Sequence, residues 1–142
     1  MSTSRETVRD ALVALLTTAL TGVAKTVVGS KVESLKGLTP LVSVLPTGST
    51  REALSFQGNV ASFGLVVNVW VLQKDIGWTN AQAVDALDRI ESIIAGVYET
   101  ARGTGIWESI KYAGPTEAGE ALVAGIEYYL ERIPTIVVLA KN

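Results

Sequence analysis

The sequence predicts an α+β domain: a mostly antiparallel sheet of four to five strands packed by two helices, in the order α-β-β-β-α-β-β. Three observations point there. A helical stripe opens the chain, a longer one occupies residues 79–102, and the remaining apolar runs alternate with period two. These strand runs follow one another through loops instead of alternating singly with helices, which favours an antiparallel or mixed sheet over a doubly wound parallel one. The 142 residues fit one domain, 1–142, with no internal repeat and no low-complexity tract.

The first helix follows from Thr3-Ser4-Arg5-Glu6, which has the spacing of a capping box. Val8, Leu12, Leu15, Leu16, Ala19 and Leu20 then recur three and four apart, and Gly22 is a natural stop. Two β-branched runs come next, VAKTVV (Val23 to Val28) and LVSVLP (Leu41 to Pro46), each read as a strand. Pro46 to Asn59, PTGSTREALSFQGN, is rich in turn residues and is expected to form an extended loop or arm, longer than an ordinary hairpin connection.

FGLVVNVWVLQ, Phe63 to Gln73, is the clearest strand. Its odd positions Phe63, Leu65, Val67, Val69 and Val71 form one apolar face. The even positions should face water, yet they include Val66, Trp70 and Leu72 around a central Asn68. Either the first helix, the long arm or another subunit must cover that second face. A turn at Asp75-Ile76-Gly77 leads to a second capping box, Thr79-Asn80-Ala81-Gln82. Val84, Leu87, Ile90, Ile94, Val97 and Tyr98 then mark the stripe of a helix running to about Arg102, roughly 36 Å long.

ARGTGIW breaks that helix; its glycines precede a strand and not a helix, the reverse of a phosphate-binding loop. WESIKY (Trp107 to Tyr112) alternates as a strand and AGPTEAGE reads as a loop. Beyond it, Leu122, Ala124, Ile126, Tyr128 and Leu130 form one face of a final strand, and IVVLA (Ile136 to Ala140) resumes after Pro134. Proline belongs at a strand edge or bulge, so the ending is one bent strand or two segments.

Composition narrows the function. Hydrophobic residues make up 48% and charged residues only 18%, with a mean hydropathy of +0.34. So little charge leaves apolar surface that a partner should meet. The net charge is −2, and Lys and Arg are scattered, so direct nucleic-acid recognition is not expected. The chain has neither cysteine nor histidine, which excludes disulfides, zinc–thiolate sites, thiol nucleophiles and the commonest general base. Ala11 to Leu20 has the length of a signal-peptide core, but Glu6 and Asp10 precede it. No apolar run approaches the ~20 residues of a membrane span, and a soluble cytoplasmic protein is the expectation.

No catalytic motif is present, and no cofactor, metal or enzyme activity is expected. Glu127 and Glu131 share a strand face, but about 13 Å separates them at ~3.3 Å per residue, beyond the carboxylate spacing of glycosidases. Trp107 reads as core, whereas Trp70 and Trp78 are equally suited to core or interface.

Several strings together resemble the small tail-terminator and tail-completion proteins of long-tailed bacteriophages. They are RETVRDALVALLTTAL, LVSVLP with the loop after it, LVVNVWVLQ, AQAVDALDRIESIIAGVYE and ALVAGIEYYLERIPTIVVL. The resemblance is one of element order and length over nearly the whole chain. It implies an α+β fold and a ring-shaped homo-oligomer, commonly a hexamer. Such a ring caps the tail tube, stops its polymerisation and offers a surface to the head–tail connector. It would assemble in the host cytoplasm and end at the head-proximal end of the virion tail. On burial logic the interface residues are Arg51, Leu54, Phe56, Val66, Asn68, Trp70 and Trp78. A head–tail connector or neck protein, a non-viral homo-oligomeric scaffold and a small-ligand-binding module are the alternatives.

Overall fold

The computed structural model describes residues 5–30, 39–53, 59–73, 80–101 and 107–139. Two helices lie on one face of a six-stranded sheet. Helix α1 spans Arg5–Ala19 and α2 spans Asn80–Thr100. The strands are β1 (Thr26–Val28), β2 (Leu41–Ala53), β3 (Asn59–Leu72), β4 (Ser109–Tyr112), β5 (Glu117–Val123) and β6 (Ile126–Val138). Their order in the sheet is β1-β2-β3-β6-β4, with β5 also paired to β6. Among the described residues no helix is long and apolar enough to cross a membrane.

The α+β class and the two packing helices are as the sequence predicts, but the sheet is mixed. β1 runs parallel to β2, with Thr26 opposite Leu41, while all other pairs are antiparallel. β1 is also shorter than VAKTVV suggests, because Val23 and Ala24 close the turn after α1, donating to the Leu20 carbonyl at 2.9 and 3.0 Å. Gly22 provides the positive φ of 80° that this turn requires.

Helix periodicity places the core. Val8, Leu12, Leu16 and Leu20 from the first helix and the turn after it meet Leu87, Ile90, Ile94 and Tyr98 of α2 over the odd face of β3. Val84 is a correction: it is 37% exposed, and Ala83 is buried in its place, because the stripe turns toward the sheet one residue earlier at the start of α2. The capping residues Thr3, Ser4 and Thr79 lie outside the described residues. Trp107 is buried and donates its indole N–H to the Ala101 carbonyl at 2.6 Å, holding the chain as it leaves α2.

The expected arm at 46–59 is mostly strand. β2 continues through Pro46 to Ala53 and pairs with β3 to Asn59, and residues 54–58 lie outside the described residues. Pro46 is accommodated because the register shifts between Pro46 and Gly48, a bulge that relieves the ladder of a donor. A Cβ on Gly64 would sit 2.5 Å from Thr47 Oγ1, so the bulge needs glycine opposite it. The result is a long hairpin whose outer part, Arg51–Ala53 with Asn59–Ala61, extends beyond the last β3–β6 pair at Ser62 and Val138.

The end of the chain also departs from expectation. AGPTEAGE is not all loop, and the long alternating run is a β5–β6 hairpin turned at Ala124-Gly125, whose φ values are 51° and 79°. Two positive φ values in a two-residue loop match the twist of antiparallel strands. β4 and β5 share the outer edge of β6 in succession, and the change falls at Pro134. The Pro134 carbonyl accepts from the Ala113 amide at 2.8 Å on that outer edge. A strand residue presents N–H and C=O to the same side, so the donor that proline lacks is one the β3–β6 ladder does not use.

Ala124 is strained as a non-glycine residue at positive φ. Ala124→Asn is expected to raise stability by about 0.5–1 kcal/mol and the melting temperature by ~2–4 °C in a thermal unfolding scan. An unchanged or lower midpoint would contradict the turn geometry.

Candidate assembly surface

The sheet face away from the helices is built by the in-register even positions of β3 and their neighbours. Val66 lies between Leu45 and Pro134, Asn68 between Ser43 and Arg132, and Trp70 between Leu41 and Leu130. β3 supplies these residues because β-branched and aromatic side chains occupy both of its faces. Three of the expected interface residues, Val66, Asn68 and Trp70, therefore share one face, and each is half-buried. Arg51 lies in the β2 part of the hairpin, while Leu54, Phe56 and Trp78 are outside the described residues.

Part of this face has a small core of its own. Leu41 and Tyr128 are fully buried there, with Trp70, Leu72, Val123 and Ile126 packed around them. The Trp70 and Tyr128 rings meet edge-on, centroids 6.4 Å apart at 88°. Sequence reasoning missed Leu41 and Tyr128 as members of this surface. The signal was present in the odd positions Leu41, Ser43 and Leu45, but required the register with Trp70 to be known.

Toward the other end the face opens into a groove of about 530 Å³ lined by Gly48, Gly64, Val66, Ala113, Pro134 and Ile136, among others. Between groove and core lies Asn68, whose Oδ1 is buried and has no hydrogen-bond partner among the described residues. A buried acceptor left unpaired costs about 1–3 kcal/mol. The face is thus apolar to either side of a polar row, Ser43, Asn68 and Arg132, that contains one unsatisfied acceptor suited to a surface that brings a donor.

Under α2 lies a second group of polar residues. Tyr98 and Thr135 share a buried hydrogen bond of 2.8 Å, and Tyr112 donates to Glu91 Oε1 at 2.9 Å. The two phenol rings stack edge-on at 5.5 Å. Burial raises both phenols well above their ordinary range, and the Glu91 carboxylate raises Tyr112 further. Glu131 of β6 is buried below the same helix. Glu127, on the same strand face and expected to lie too far away for a carboxylate pair, is exposed, and the carboxylates whose charge Glu131 feels are Glu91 and Asp88 of α2.

Burial is the main cause that raises the Glu131 carboxyl above its ordinary value; Glu91 and Asp88 add to it, and a hydrogen bond from Thr116 opposes it. A proton held more tightly in the folded state gives stability that is full below the unfolded pKa and is lost as pH rises through the folded one. Glu131→Gln is therefore expected to stabilise the fold at neutral pH, with its advantage over wild type shrinking as pH falls toward 4.5. Denaturation midpoints of both proteins across that window check it; an advantage that grows on acidification would contradict it. No protein-family model and no curated protein matches the sequence.

Proposed function

We propose that this protein is a structural subunit of a long-tailed bacteriophage, a tail terminator that forms a ring, commonly six-fold in the proteins it resembles. The ring caps the tail tube, stops its growth and offers the joining surface to the head–tail connector. The observation that carries this reading is Asn68, whose buried Oδ1 is unsatisfied among the described residues, on a sheet face that the two helices do not cover and that is apolar to either side of the row Ser43, Asn68 and Arg132. A neighbouring subunit supplies both the missing donor and the apolar cover. Cyclic head-to-tail contact does this for every copy at once and closes without leaving an end. The projecting β2–β3 hairpin supports the same reading, since it reaches past the body of the subunit.

In this role the protein works by shape and surface, without chemistry on a substrate. Its partners are its own copies, the tail-tube protein and the connector.

Light scattering of the purified protein, with negative-stain imaging in the presence of tail tubes, tests the proposal. Closed rings, alone or on tube ends, are the expected result; a monomer that ignores tubes would sink it. Trp70→Glu puts a charge into the apolar face and is expected to weaken assembly at least tenfold while the circular dichroism spectrum is kept. Unchanged oligomeric mass in a normally folded variant would show that this face is not the contact.

A further inference from the structure

The sheet presents two backbone edges, on opposite sides, that carry no strand among the described residues. On one side β1 pairs only with Leu41–Ser43, so β2 from Val44 to Ala53 has its outer edge unpaired, including the part in the projecting hairpin. On the other side is β5, bonded to β6 alone. Its residues Glu117, Ala118, Gly119 and Glu120 are all exposed, and Leu122, at 68%, is the more exposed of the two large hydrophobic residues that stand out from the surface among the described residues. Exposed edges are ordinarily blunted by charged side chains, lysine above all, by proline or by a bulge. β5 has no lysine, proline or bulge over seven residues. It has small side chains that let another backbone approach, and its two charges are both acidic.

We propose that the β2 edge of the hairpin in one copy pairs antiparallel with β5 of the next, so that the ring closes through a sheet continuous between subunits. This rests on the ring reading above and adds to its face contact a second, edge-to-edge joint between neighbouring copies. The directions agree: β2 and β6 run the same way and β5 runs against both, so a β2 placed beside β5 continues the antiparallel alternation. The faces agree as well. Position 51 falls in register with the helix-side positions of β3, and Glu120, opposite Tyr129, falls on that same face of β5. β5 pairing with itself about a two-fold axis through its central residue, Glu120, would set like charges directly opposite one another.

The absence of cysteine from the chain makes this directly testable. Directly opposed cross-strand Cβ atoms lie about 4.5–5.5 Å apart, close enough for a disulfide after small adjustment. Glu120→Cys is combined in turn with Ser49→Cys, Arg51→Cys and Ala53→Cys, which covers the registers that keep the same face. Mild oxidation is expected to give, in one of the three double variants, a ladder of covalent multimers ending at the ring number. Each single variant should remain uncross-linked. Rings seen by light scattering in the double variants without a ladder in any of them would overturn the strand pairing and leave the ring reading standing. Covalent dimers from Glu120→Cys alone would mean that β5 meets its own copy, overturning the pairing. Monomeric mass with no cross-link in any variant would remove both proposals.

Discussion

Strand β3 must bury two faces with one set of helices, and the rest of the molecule is arranged around that constraint. Its odd side chains are fully enclosed by α1 and α2, which absorb nearly all the helical apolar surface. Its even side chains receive only what the neighbouring strands and a small aromatic cluster can give. Leu41 and Tyr128 close one end, and the glycines at 48 and 64 leave the other end open. Covering a sheet face with its own edges works only locally, and that is why the surface remains half-buried over most of its length.

The helix side solves a different problem. α2 crosses the sheet above β3, β6 and β4 and brings Tyr98 against Thr135 of β6, Glu91 against Tyr112 of β4, and Asp88 and Glu91 near Glu131. Hydrogen bonds between Tyr98 and Thr135 and from Tyr112 to Glu91 fix the helix to both strands, so its position is set by directional contacts as well as by packing. Glu131 is the costly member of this arrangement. It sits opposite Val69 on the core side of β6, where an apolar residue would continue the pattern.

Elements with strong periodicity were legible from the residues alone. α1, α2 and β3 follow their apolar stripes closely, and the surplus apolar residues on β3 pointed to the surface that the structure brings together around Val66, Asn68 and Trp70. The failures have physical causes. The even apolar positions Leu122, Ala124 and Ile126 read as one unbroken strand face, but the two-residue turn reverses the parity, setting Val123 opposite Ile126 and Leu122 opposite Glu127, so an uninterrupted alternation in sequence conceals a reversal of the chain. A bulge lets a strand pass through proline, so Pro46 and the residues after it looked like loop. The parallel partner of β2 could not be inferred, because three residues carry too little pattern to show their direction. Leu41 and Tyr128 are distant in sequence and joined only through the register of three strands. Glu131 was visible as a strand carboxylate, but its neighbours Asp88 and Glu91 come from an element whose placement no local pattern reveals.

The position of β6 has a consequence for how the chain acquires its structure. It is the last strand in the sequence, yet it lies between β3 on one side and β4 and β5 on the other. Ser62 meets Val138 and Leu72 meets Tyr128 only after α2, β4 and β5 have all been passed. The β2–β3 and β5–β6 hairpins are local and can form early, whereas the ladder that joins them requires closure of a long loop. Contacts so distant in sequence place the domain among slow folders, with the edge of β3 open until the two hairpins meet. During that interval the most apolar strand of the protein is available to any other strand, so the order of folding and the order of assembly are tied to the same piece of backbone.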